Sequence, residues 1–203
     1  MSCCETMTDV EQRVEGADSR RRRAIVVLSG LGMANAMAVS LRQLNVIRHL
    51  PDPPLRHFHA DAVTTSRQAY VFGFPDAPLA FASLAANVAL ALSGGTNRTQ
   101  EQPWIPLAAA AKAMGEAGIA AWYFVQMPVH LHTWCIYCVA GAAVNFAIAG
   151  LTLPEGRRAA AQVRRSVTIG FVATAMLGVA IWMFGVSRGR EGRLRVSEEQ
   201  REA

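Results

Sequence analysis

At 203 residues, 52% hydrophobic and only 17% charged, against about 25% charged in an ordinary soluble domain, the chain is too apolar for a typical water-soluble enzyme. Its net charge of +5 comes almost wholly from arginine, with Lys112 the single lysine, and those arginines lie outside the apolar runs without interleaved aromatics, which marks membrane orientation and excludes a nucleic-acid surface. The absence of Gly-x-Ser-x-Gly, a phosphate-cradling glycine loop and His-Glu-x-x-His removes the matching hydrolase, nucleotide and metalloprotease classes.

The chain opens with a polar segment, 1–23, that holds Cys3 and Cys4 and ends in Arg20-Arg21-Arg22-Arg23. It reads as a disordered cytoplasmic tail. Adjacent cysteines do not easily bridge each other, and zinc would need two further ligands on the same side, so neither is assigned a role. A first apolar segment, about 24–44, is long enough for one crossing of ~20 residues, and the four arginines ahead of it hold its N-terminus inside. The small-x-small sites Ala34-Asn35-Ala36 and Ala36-Met37-Ala38 offer signal-peptide cleavage as the competing reading. The hydrophobic segments that follow favour an uncleaved helix.

Asn45 to Gln68 is then an outer loop, where Pro51, Pro53 and Pro54 exclude a continuous helix and a short helical run begins at Ala60. The second crossing, about 69–92, carries Phe72-Gly73-Phe74-Pro75 near its outer end, and Ser93 to Pro103 is a flexible inner loop. The third, about 104–130, contains Lys112 and Glu116 one helical turn apart. Lys112 is expected to snorkel to the inner surface, leaving Glu116 as a paired boundary charge, with proton handling as the sharper alternative. The fourth, about 135–153, follows a very short outer link, and Arg157, Arg158, Arg164 and Arg165 after it again lie inside. A charge-free fifth crossing, about 167–186, has Gly170, Thr174 and Gly178 at four-residue spacing, suited to close helix packing. The charged C-terminal tail, 187–203, follows. The fold class expected is all-α: a polytopic membrane protein with a four-helix bundle and a fifth transmembrane helix, multi-pass in the cell membrane.

Chemistry concentrates at Trp134-Cys135-Ile136-Tyr137-Cys138, where the fourth apolar segment begins. Two thiols three residues apart in the first turn of a helix share one face, close enough to cycle between dithiol and disulfide. The helix N-terminus favours the thiolate. A fixed disulfide, or two buried small side chains, is the blander alternative. The expected topology puts Cys135 and Cys138 on the outer face, in an oxidising compartment, where a membrane-embedded dithiol could pass its electron pair to a quinone.

The order of these features carries a resemblance. Val63-Thr64-Thr65-Ser66 before Phe72-Gly73-Phe74-Pro75, then Trp-Cys-x-Tyr-Cys at the outer start of the fourth helix, resembles the vitamin K epoxide reductase family over about residues 24–185. The resemblance implies a four-helix bundle around a quinone, with Cys135 and Cys138 as the redox pair, Cys138 nearer the quinone and Ser66 on the loop helix covering it. Phe72 and Trp134 are expected as aromatic neighbours of the ring. The implied activity is that of a quinone-linked thiol–disulfide oxidoreductase using menaquinone or ubiquinone. The expected partners are membrane lipid, the quinone and a separate thioredoxin-like or other thiol protein, with no nucleic acid. The chain departs from the family in lacking the two cysteines of the first loop, the second of which would fall near Ala60, and is expected to lack a fused thioredoxin-like domain.

All five histidines, His49, His57, His59, His130 and His132, fall in the two outer loops. With the nearby thiols they offer a second reading, an outward-facing handler of a transition metal. The simpler reading assigns no metal ligands, since histidines are common in interfacial loops. A non-catalytic membrane subunit on the same scaffold is the third.

Overall fold

The computed structural model describes residues 2–70 and 73–163. Its helices are α1 (Ser2–Gln43), α2 (Ala60–Thr64), α3 (Asp76–Leu92), α4 (Arg98–Glu101), α5 (Trp104–Gln126) and α6 (Ile136–Gln162), with a 3-10 turn at Arg67–Tyr70 and a π turn at Met127–Leu131. The fold is all-α: no strand occurs among the described residues, and an isolated bridge joins Phe58 to Trp134. The four long helices close into a ring, α1 packing on α3 and α6, and α5 on α6 and α3. Ile25, Leu84, Ala113, Ala117 and Ile148 fill its middle. Alanine and glycine let the backbones approach closely: a Cβ added at Gly156 would lie 2.5 Å from the Ala110 Cβ.

Among the described residues two helical stretches, Gln12–Gln43 and Ile136–Gln162, are long and apolar enough to cross a membrane. Five crossings were expected. The stretch expected at 69–92 starts late, because a 3-10 turn, Gly73 at φ +80° and Pro75 precede α3, which is left with 17 residues. The third helix ends at Gln126, where the chain enters the proline-containing π turn, and it carries Lys112 and Glu116. The fifth crossing expected at 167–186 and the tail 187–203 lie outside the described residues.

The segment expected as a disordered tail is instead helical from Ser2 and continuous with the first apolar stretch. Contacts with α6 account for its last turns. Arg158 Nη2 donates to both oxygens of Asp18, at 2.5 and 2.6 Å, and Arg22 Nη2 donates to Glu155 Oε1 at 2.6 Å. The link expected as flexible between α3 and α5 is also tied down, by Arg98. Its Nε and Nη2 donate to the two oxygens of Glu155, while Nη1 donates to the carbonyls of Leu90 and Ser93 at the end of α3. These arginines and their acidic partners, Asp18 and Glu155, therefore gather at one end of the ring, the end opposite the cysteines.

Candidate functional site

The chain reaches the cysteines through an abrupt reversal. After the π turn His132 adopts a left-handed conformation at φ 51°, and Cys135 is extended where α6 starts. Cys135 is the N-cap of that helix. Its Sγ accepts from the Cys138 N–H at 3.2 Å, as a serine or aspartate oxygen would in the same place. The two sulfurs are 2.8 Å apart with Cys138 as donor, and both are free thiols. The hydrogen bond from the Cys138 thiol, joined by the backbone N–H groups of Cys138 and Tyr137, outweighs burial and holds the Cys135 thiol below its ordinary value.

Cys135 is fully buried, at 0% exposure. What covers it is the loop between α1 and α2. Trp134 N–H donates to the His57 carbonyl at 2.8 Å, His59 N–H donates to the Trp134 carbonyl at 2.9 Å, and Thr133 Oγ1 adds a bond to His57 at 3.1 Å. Leu50, Ala60, Val63 and Met127 pack in the same apolar cluster as Cys135. Ala60, where the family pattern would have a cysteine, is thus buried in the cluster that holds Cys135.

One carboxylate fastens this loop. Asp61 accepts from Arg42 Nε at 2.6 Å and from the Leu50 N–H at 3.2 Å, and it pairs with His49 Nδ1 at 2.9 Å. Partial burial works against its charge, but the bonds from His49, Arg42 and Leu50 prevail and hold it below the usual carboxylate range. A carboxyl whose folded pKa is depressed stabilises the fold above its unfolded value near 3.8 and loses that contribution as pH falls through the folded value. Asp61→Asn should therefore loosen the loop at neutral pH. The expected result is Cys135 alkylation by N-ethylmaleimide faster by about tenfold, for a local opening eased by roughly 1.4 kcal/mol, and a smaller gap between variant and parent below pH 3.8.

Cys138, half-buried, faces the other way, into a cavity of about 600 Å³ lined by the four long helices. Val39, Leu84, Ala120, Met127 and Leu131 give it apolar walls. Polar groups line it as well: Asn35 and Gln43 from α1, Asp76 and Ser83 from α3, Glu116 and Tyr123 from α5, Asn145 from α6. Ser66 and Gln68, with Ala69, roof it at the cysteine end. The Ser66 hydroxyl oxygen is buried without a hydrogen-bond partner, a cost of about 1–3 kcal/mol that a ligand acceptor would relieve.

Of the residues singled out in sequence, Cys135, Cys138 and Ser66 are brought together. Trp134 is placed beside the pair but outside the cavity lining, packed edge-on against Phe124 with ring centroids 5.2 Å apart. Phe72 lies outside the described residues. Sequence reasoning missed Asp76 and Gln43. Gln43 Nε2 donates to Asp76 Oδ1 at 2.7 Å and to the Thr64 carbonyl, and its oxygen accepts from the Ala77 N–H, locking α1 to the start of α3. The available signal was Asp76 itself, an acidic residue directly after Phe-Gly-Phe-Pro in an otherwise apolar stretch. Lys112 does not snorkel as expected; its ammonium turns into the ring, where Ser83, Asn87 and Glu116 offer four acceptors. The histidines do not assemble with the thiols: among the described residues no three His, Cys, Asp or Glu side chains converge as metal ligands.

These features define a helical membrane protein with a buried dithiol, one sulfur of which opens onto a mainly apolar cavity between four helices. The chain belongs to the vitamin K epoxide reductase family, whose model matches residues 23–153, and so to an oxidoreductase class. No curated protein matches it.

Proposed function

We propose that this protein is a quinone-linked thiol–disulfide oxidoreductase of the membrane, with Cys135 and Cys138 as its redox pair. The observation that carries this reading is the split placement of the two sulfurs: Cys138 lines the 600 Å³ cavity while Cys135, 2.8 Å behind it, is sealed from solvent. The cavity fits a quinone such as menaquinone or ubiquinone. Its apolar walls suit a ring and the first part of an isoprenoid tail, and the orphaned Ser66 hydroxyl offers a donor to a ring oxygen.

When bound, a quinone supplies an acceptor for two electrons and two protons. Cys138 presents its sulfur to that acceptor. Cys135, its thiol held below its ordinary value, is positioned to close the S–S bond on Cys138 as the electron pair leaves. Asp76 lines the cavity as well, near enough for its charge to act on Cys138, and its carboxylate can hold the proton the thiol releases. The arginines gathered at the far end of the ring support an orientation with that end cytoplasmic and the thiols outward. Electrons then come from an external thioredoxin-like or other thiol protein. Because Cys135 has no exposed surface, that donor needs the Asp61-fastened loop to lift, and no loop cysteine stands in for the family's usual relay.

The test is anaerobic titration of the reduced, detergent-solubilised protein with menadione. One quinone reduced per protein, with the loss of two alkylatable thiols at Cys135 and Cys138, is the expected result. Thiols that survive excess menadione would leave a non-catalytic subunit as the better reading.

A further inference from the structure

About two helical turns further along the same cavity, toward the arginine end, lies a polar cluster that the chemistry above leaves unused. Lys112 Nζ donates to the Ser83 carbonyl at 2.7 Å, the Ser83 hydroxyl at 3.0 Å, Asn87 Oδ1 at 3.0 Å and Glu116 Oε1 at 2.5 Å. Glu116 in turn accepts from the Ser83 hydroxyl and, at 2.7 Å, from Asn87 Nδ2. An ion pair inside a membrane helix bundle is costly, and a packed apolar pair would serve stability as well or better. Retaining it therefore points to a use beyond folding.

The geometry of the cavity indicates which. Ser83 and Glu116 line it together with Cys138 and Asp76. Asp76 and Ser83 are seven residues apart on α3, about 10 Å along the axis at ~1.5 Å per residue. Cys138 and Asn145 stand in the same relation on α6. The cavity thus has a sulfur end and a serine end, with charged lining residues Asp76 at the first and Glu116 at the second, while α1 and α6 add only the uncharged Asn35 and Asn145 at depth. Ser83 is the go-between: its oxygen already accepts from the Lys112 ammonium, and its hydrogen can turn from Glu116 to an acceptor in the cavity.

We propose that Ser83, Lys112 and Glu116 form the proton-donating end of the site, with Ser83 donating to the quinone oxygen remote from Cys138, Lys112 supplying the proton and Glu116 holding the ammonium in place. This rests on the quinone reading above. The balance is complete: dithiol plus quinone gives disulfide plus quinol, both electrons leave sulfur as the S–S bond forms, one thiol proton goes to the near oxygen and Lys112 gives one to the far oxygen. Water then reprotonates Lys112 while the second thiol proton is released at the sulfur end. No outside oxidant or reductant enters.

Ser83→Ala tests this without unbalancing the Lys112–Glu116 pair, and Ser83→Thr restores the hydroxyl. With menadione and pre-reduced protein, Ser83→Ala should lower the single-turnover rate about a hundredfold, weaken menadione binding about tenfold or less, and move the infrared carbonyl band of bound menadione to higher frequency. Ser83→Thr should recover both the rate and the band. An Ser83→Ala variant with the parent's rate and an unshifted band overturns the proposal while leaving the quinone reading standing. A parent protein that neither binds nor reduces menadione overturns the quinone reading, and this proposal with it.

Discussion

Cys135→Ser is expected to abolish quinone reduction while leaving the helix that Cys135 caps intact. The Cys135 sulfur does two separable jobs. As N-cap of α6 it accepts from the Cys138 N–H at 3.2 Å, a role serine fills at least as well because its oxygen is the stronger acceptor. As redox partner it must form the second half of an S–S bond, which serine cannot. The rate of menadione reduction should therefore fall by at least about a thousandfold, as when one member of a catalytic unit is removed, with the thermal unfolding midpoint nearly unmoved. Cys138→Ser should lose activity equally, but the remaining thiols behave differently. Cys138 alone stays accessible through the cavity to a hydrophobic maleimide. Cys135 alone has no exposed surface and should react only at the rate at which the covering loop opens. Equal labelling rates in the two variants, or an active Cys135→Ser protein, would contradict the assigned roles.

The dithiol and its cover differ in how far the sequence reveals them. Cys-x-x-Cys is local: spacing alone puts both sulfurs on the first turn of a helix, and they are found there. Ser66 was expected through its motif on a loop helix; it lies instead between α2 and the 3-10 turn, among the residues that line the cavity. The burial of Cys135 is not local, since it depends on His57, Ala60 and Asp61 arriving from far earlier in the chain. Asp76 was passed over for the same reason. Its importance comes from Gln43 on another helix and from the cavity it faces, neither of which has a periodicity to read. Apolar periodicity located the four long helices but misjudged their ends, which are set by partners and turns: the turns of α1 just before its apolar stretch are held by the contacts of Asp18 and Arg22, and α3 is shortened by Gly73 and Pro75. Lys112 illustrates the limit most clearly. Its position suggested a side chain reaching for the surface, and four acceptors inside the ring draw it the other way.

The largest stability effect is expected at the opposite end of the ring, from Glu155→Leu. Arg98 and Glu155 are 2% and 4% exposed, and Glu155 also accepts from Arg22, so one carboxylate bridges two guanidinium groups. Removing it leaves both cations desolvated without a counter-charge, a loss of about 3–5 kcal/mol. Arg98→Met should cost less through charge, because Glu155 keeps Arg22, but it also frees the carbonyls of Leu90 and Ser93 that Arg98 caps at the end of α3. The double variant should be milder than the sum of the two, since no lone charge from the Arg98–Glu155 pair then remains buried. Unfolding by sodium dodecyl sulfate in mixed micelles, followed by tryptophan fluorescence, measures all three. Because α1, α4 and α6 all meet at Glu155 and the end of α3 meets Arg98, loss of this clasp should loosen the ring that encloses the cavity. Menadione binding should then weaken in Glu155→Leu although the residue lies at the far end of α6 from Cys138. A Glu155→Leu protein within about 1 kcal/mol of its parent would mean that water reaches these charges, as it does at exposed ion pairs, and that the ring is held by its apolar packing alone.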